Sequence, residues 1–209
     1  MSIIDLTLTV PWCLAEEETV RLEELKICGQ GGAYTGMVYH FSHDSMIGTY
    51  IDFPGHVKET DDGADAANYP LEKLFRVPAT VIHLNREDGS GEVTASDLRD
   101  ACPDPVRGGA LVINALGTTR FDGIEEHTVW LSNDAVAWII DTGIHLLISD
   151  IYESKALHGV FSDLFKAGVL TVCYPVNLYS LTAPYVMISA LPSRFERVTQ
   201  LPCRLLAEL

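Results

Sequence analysis

The chemistry of this chain is concentrated in residues 46–56, Met46-Ile47-Gly48-Thr49-Tyr50-Ile51-Asp52-Phe53-Pro54-Gly55-His56. In an extended backbone, side chains alternate between two faces, so Met46, Tyr50, Asp52 and His56 would share one of them. A histidine titrates near neutrality and can act first as general base and then as acid. Asp52 could orient it or raise its pKa. The Tyr50 hydroxyl could donate a hydrogen bond to a carbonyl or enolate oxygen. Such a set suits cyclisation, dehydration, isomerisation or elimination next to a carbonyl. Gly48, Pro54 and Gly55 have little side chain to pack, so they read as positions of backbone shape and close approach.

Other residues could join this stretch. Trp12, Phe53 and Tyr174 are candidates to line an apolar substrate pocket. Cys173 could be a nucleophile if His56 or His158 lay beside it and lowered its pKa, although most buried cysteines are inert. His43, Asp44, Asp52 and His56 have the donor types of a rival metal site. His40, His43 and His83 read more simply as surface or strand residues. Asp52 could serve only as a local cap of backbone amides. The loop Asp61-Asp62-Gly63-Ala64-Asp65 lacks the later glutamate and flanking helices of an EF-hand.

These residues must be positioned by a fold of ordinary size. The chain has 209 residues, 47% of them hydrophobic, which predicts one domain with a full core. A net charge of −15 argues against nucleic acid and anionic membrane surfaces as main partners. Five scattered cysteines without a CxxC pair predict neither a disulfide framework nor a zinc ribbon. The cysteine pattern fits a reducing cytoplasm, and neither a signal peptide nor an apolar run of eighteen or so residues is visible.

Residues 3–10 alternate as a half-buried strand, and residues 35–41 do so again. Residues 20–27 fit a strand or a short helix, and Gly29, Gly31, Gly32 and Gly36 mark a loop. Residues 78–84, 109–116, 145–149, 169–173 and 185–191 read as apolar strands, and 203–206 as a final one. Thr94 and Asp97 resemble a capping box, Ser132 caps a helix that Gly143 stops, and residues 154–167 carry a helical apolar stripe ended by Gly168. Ser149-Asp150 ends a buried strand, where α/β folds place polar site residues. The pattern predicts an α/β domain over residues 1–209, with a mixed sheet and flanking helices.

Gly48-Thr49-Tyr50-Ile51-Asp52-Phe53-Pro54-Gly55-His56 resembles the HxGTHxDxPxH signature of the Putative cyclase superfamily, which includes bacterial kynurenine formamidase, isatin hydrolase and cyclases of antibiotic pathways. Ile4-Asp5-Leu6-Thr7 resembles its first strand and residues 109–114 its central one. Residues 131–139 resemble its "LSPEAARWL" helix. Ala167-Gly168-Val169, with Asn177-Leu178, resembles its C-terminal segment. The resemblance implies a swivelling β/β/α fold, a homodimer or homotetramer, and a zinc or manganese ion held by three histidines, an aspartate and a glutamate. By correspondence, the ligand positions fall on Met46, Tyr50, Asp52, Phe161 and Cys173, and the acid/base histidine on His56. One of five ligands survives. Methionine and neutral tyrosine suit neither ion. The expectation is a metal-independent enzyme of secondary metabolism with His56, Asp52 and Tyr50 as catalytic residues, and with Trp12, Phe53, Met46, Cys173 and Tyr174 at the substrate. The alternatives are a metal-dependent amide or lactam hydrolase with a rearranged site and one zinc or manganese ion, and a non-catalytic binding or scaffold homologue.

Overall fold

A computed structural model of the chain describes residues 2–11, 13–14, 17–86, 91–102, 104–119 and 128–209. In chain order the elements are β1 (Ile3–Asp5), β2 (Cys13–Leu14), β3 (Glu17–Glu18), β4 (Val20–Gly29), β5 (Gly32–Phe41), β6 (Tyr50–Asp52) and β7 (Val77–His83). They continue with β8 (Gly91–Val93), α1 (Ala95–Ala101), β9 (Ala110–Asn114), β10 (Val129–Leu131), α2 (Asn133–Asp141), β11 (Leu146–Ser149), α3 (Val160–Lys166), β12 (Leu170–Cys173), β13 (Tyr185–Pro192) and β14 (Gln200–Glu208).

The mixed α/β sheet closes on itself. Strands run in the order β14, β13, β7, β9, β11, β12, β6, and β6 pairs again with β14 to complete a seven-stranded barrel. The four central strands, β7, β9, β11 and β12, are parallel, and the rest are antiparallel. Parallel neighbours need a crossover, and α1, α2 and α3 lie in the three crossovers. Strand β14 serves two partners along one edge. Its start pairs with β6 (Gln200↔Asp52) and its end with β1 (Ile3↔Glu208).

Alternation sorts the apolar residues into two cores. Ile51, Val81, Val112, Ile148, Val172, Ile188 and Leu205, drawn from all seven strands, fill the barrel. Tyr50, Ile82, Leu111, Ile113, Leu147 and Cys173 point outward, under the helices, with Leu98, Val136 and Leu164. Burial of each such side chain is worth about 1.5–3 kcal/mol.

Several elements match the sequence reading. Thr94 and Asp97 form a reciprocal capping box at α1, and the Ser132 hydroxyl caps α2 by accepting from Ala135 N at 3.3 Å. Four expectations need correction. The strand predicted over residues 3–10 stops at Asp5, because Leu8 N turns away to donate to the Thr49 hydroxyl at 2.8 Å. The glycines at 29–36 mark a tight turn rather than a loop: β4 and β5 pair up to Gly29↔Gly32, and Gly36 lies inside β5. The helix predicted from residue 154 begins only at Val160, because the Glu153 carboxylate accepts from Gly159 N and Val160 N, at 3.0 and 2.9 Å. The last strand is longer than residues 203–206, since β6 and β1 both pair along it.

Candidate active site

Strand β6 does not hold all four proposed residues on one face. Tyr50 and Asp52 alternate with Ile51 as expected, opposite Cys173 and Thr171 of β12. Met46 precedes the strand in a turn, 47% exposed, with its backbone N–H donating to Asp44 Oδ1. Gly48 interrupts the extended run at φ +66°, where a Cβ would stand 2.7 Å from the Val10 side chain. Thr49 then stitches two segments together, accepting from Leu8 N and donating to the Tyr174 carbonyl at 2.7 Å. Pro54–His56 form a 3-10 turn that carries His56 off the strand and leaves it exposed.

Asp52 is the polar centre on the helix side, 2% exposed. Its Oδ2 accepts from the Thr171 hydroxyl at 3.1 Å and the Cys173 thiol at 3.5 Å. Its Oδ1 is buried without a hydrogen-bond partner among the described residues. Burial pushes the Asp52 carboxyl above the usual carboxylate range, against the opposing pull of Gln200, His56, Thr171 and Cys173. Burial also raises Tyr50 and Cys173, each further raised by the Asp52 charge, so both stay protonated donors at neutral pH. A protonated, buried thiol is a poor nucleophile. His56 reaches this cluster through an amide: Gln200 Nε2 donates to His56 Nε2 at 3.1 Å, and the Ser45 hydroxyl donates to Gln200 Oε1.

A cavity of about 250 Å³ opens beside Tyr50 and Cys173. Tyr152, Tyr174 and Phe161 line it, with Asp150, Glu153 and Lys155 among its polar residues. Tyr152 stacks on Phe161 at 5.1 Å between centroids, and Tyr50 meets Tyr174 edge to face at 5.4 Å. Asp150 ends β11, and its two oxygens accept from Ala115 N and Leu116 N at 2.8 and 2.9 Å. Burial outweighs those amides and lifts its pKa to about 6.

The structure thus brings Tyr50, Cys173 and Tyr174 to one cavity, with Asp52 behind them. Phe53, expected at the substrate, is instead fully buried on the barrel side, against Tyr69, and does not line this cavity. Met46 and His56 are not part of the cavity wall. Trp12 lies outside the described residues. The sequence reading passed over Tyr152, Glu153 and Lys155. Asp150 carried a signal, the end of a buried parallel strand, but Tyr152 and its neighbours sit in an aperiodic segment.

The five positions implied as metal ligands offer a poor donor set. Met46 is turned away, Phe161 has no donor atom and Tyr50 is a phenol, so Asp52 and Cys173 alone carry ordinary donor types, too few to hold the ion. His158 does not stand in. Its Nε2 donates to the Leu131 carbonyl at 2.8 Å, and its Nδ1 faces Glu153 at 3.1 Å. Nor do His43 and Asp44 gather with Asp52 and His56. His43 Nδ1 faces its neighbour's carbonyl oxygen, Asp44 O, and no cluster of three histidine, cysteine or acidic side chains suited to a metal exists among the described residues. The residues present do not fit the divalent ion of the resemblance.

No curated protein sequence matches the chain. Solved structures do. An isatin hydrolase A from Ralstonia solanacearum is 19% identical with a TM-score of 0.75, over 99% of this chain and 91% of that one. An isatin hydrolase bound to the product analogue thioisatinate is 19% identical with a TM-score of 0.72, over 98% and 91%. A potential metal-dependent hydrolase with cyclase activity is 17% identical with a TM-score of 0.70, over 99% and 96%. At these identities the likeness is one of fold. The family model described as Putative cyclase matches residues 4–154, and with that match over most of its length the chain belongs to the Putative cyclase family.

Proposed function

We propose that the chain is a metal-independent enzyme that moves protons next to a carbonyl of a small aromatic or cyclic molecule held in the tyrosine-lined cavity. Family membership supports an enzyme acting on a small molecule. The observation that carries the reading is Asp52: a buried carboxyl with a raised pKa and one unpartnered oxygen, beside two protonated donors at the cavity wall. A carboxyl whose pKa is raised by burial holds its proton more readily than a free one, as an acid/base group requires. Tyr50 donates to the substrate oxygen on which charge develops. His56, which does not line the cavity, acts on Asp52 electrostatically, with Gln200 holding its ring. Asp150 lines the cavity with a pKa of about 6, so it is available as a second acid/base group. Cyclisation, dehydration, isomerisation and elimination all fit this set, and secondary metabolism is the setting the family suggests.

A second reading is a metal-dependent amide or lactam hydrolase with a rearranged site. It is favoured by Asp52 Oδ1, which lacks a partner, and by Cys173 Sγ, 3.5 Å from the other Asp52 oxygen. One experiment separates the two. Purified protein is analysed for metals and screened by thermal shift against aromatic carbonyl compounds in excess chelator. Turnover of any stabilising compound is then followed in wild type, Tyr50→Phe, Asp52→Asn and His56→Ala. Substoichiometric metal and chelator-resistant turnover, lost in the Tyr50 and Asp52 variants, are expected. Stoichiometric zinc or manganese with turnover abolished by the chelator favours the hydrolase. Unchanged turnover in all three variants removes the acid/base assignment.

A further inference from the structure

The parallel strands β7, β9 and β11 end side by side, and residues at their ends form a second polar group, apart from Tyr50 and Asp52. His83 and Asn114 are register partners on the barrel side of the sheet, in the parity of Val81 and Val112. His83 Nε2 donates to the Leu181 carbonyl at 2.8 Å, so Nδ1 of the neutral ring is an acceptor. Asn114 must then present its NH2 group, and Nδ2 donates to His83 Nδ1 at 2.9 Å. That bond fixes the amide and turns Oδ1 the other way. Asn114 is 1% exposed, and Oδ1 has no hydrogen-bond partner among the described residues. Asn114 borders a cavity of about 20 Å³, with Asp150, Gly117 and Leu178 beside it and the exposed Thr119 and Tyr179 also on its wall. That volume takes one water-sized occupant. Among the described residues, Asp150 alone borders both this cavity and the tyrosine-lined one.

We propose that this cavity binds one potassium-sized monovalent cation, potassium or ammonium, through Asn114 Oδ1 and the Asp150 carboxylate. A buried acceptor left unmet is costly, so Oδ1 calls for a donor or a cation. The Asp150 oxygens accept from Ala115 N and Leu116 N, and the carboxylate forms no ion pair among the described residues, so only backbone amides oppose its charge. A water would satisfy Oδ1 but leave that charge unopposed. One carboxylate and a neutral amide oxygen match a single positive charge, and carbonyl-type oxygens can replace the hydration shell of potassium. A divalent ion asks for more: calcium takes six to eight oxygens, and no cluster of three acidic, histidine or cysteine side chains exists among the described residues. Ammonium and potassium are close to water in size, and ammonium also donates hydrogen bonds. A chain of net charge −15 draws such cations toward it. The bound cation favours the charged form of Asp150, but the site stands whether or not Asp150 acts on a substrate.

Thallium(I) mimics potassium in size and scatters anomalously, so it serves as the probe. Crystals of the full chain soaked in a thallium(I) salt should show an anomalous peak between Asn114 Oδ1 and Asp150. In solution, Tm is compared in potassium, ammonium and choline chloride at equal ionic strength. A cation at about tenfold its Kd should raise Tm by about 3–6 °C over choline. A rise in one salt alone names the occupant, and a rise in both shows that the site accepts either ion. Asn114→Leu keeps the size of the side chain without the acceptor and should abolish the rise. The proposal is overturned by wild-type crystals with a water and no thallium peak at this position, by equal Tm in all three salts, or by a folded Asn114→Leu protein that keeps the rise. The wild-type scattering measurement decides the matter even where that variant does not fold.

Discussion

The two faces of β6 solve opposite problems with adjacent residues. Ile51, and Phe53 just beyond the strand, face the apolar core of the barrel, and both are fully buried. Tyr50 and Asp52 face the helices, where the wall holds a carboxyl, a thiol and a phenol that share protons. The inner face gains stability from burial. The outer face forgoes some: Asp52 Oδ1 is buried with nothing to accept from, a cost of about 1–3 kcal/mol that a core residue would avoid. Natural structures keep few such groups, and they concentrate where a ligand or a proton is handled. The difference teaches that stability and chemistry are separated here by strand parity, not by distance.

The largest effect should come from the inner face. Phe53→Ala is expected to cost about 3–5 kcal/mol in denaturant unfolding, whereas Tyr50→Phe removes only a hydroxyl and should cost about 1 kcal/mol or less. Equal losses in the two variants would erase the contrast. Next in size is the pH dependence. A carboxyl whose folded pKa is raised binds its proton in the folded state while the unfolded chain has released it, so stability falls as pH rises through that window. For Asp150 the window runs from 3.8 to about 6. The full span is worth on the order of 3 kcal/mol, with Asp52 acting in the same direction. Unfolding measured at pH 4 and pH 6.5 should show wild type losing stability with rising pH, and Asp52→Asn losing less. An identical slope in the variant would mean that Asp52 is not held protonated by the fold. The smallest effect lies away from both faces. Thr94→Ala removes half of the capping box at α1 and should cost about 1 kcal/mol by thermal or chemical unfolding, with no change in turnover.

Legibility followed the range of the interactions. The capping box at Thr94, the cap at Ser132 and the apolar runs of β7, β9, β11 and β12 were readable, because each is set by residues within a few positions of one another. The glycine cluster before Gly36 does not reveal its ribbon turn, because a tight turn and a loop share a composition. The start of α3 was misread because Glu153 reaches forward to Gly159 and Val160 and ends the preceding turn first. A period of two puts Met46 and His56 with Tyr50, but Gly48 and the 3-10 turn at Pro54–His56 break that period.

The sequence by itself determined which short stretch concentrates the chemistry, which family it resembles, and that Tyr50 and Asp52 share a face opposite Ile51. Those are consequences of residue type and strand alternation. Only the tertiary structure decided that the sheet closes through β14 and β6, that Phe53 belongs to the interior, and that Tyr152, Asp150 and Glu153 reach the same cavity as Tyr50. Each of these depends on register between segments about a hundred or more residues apart, such as Asp52 with Thr171 and Gln200, which no local pattern encodes.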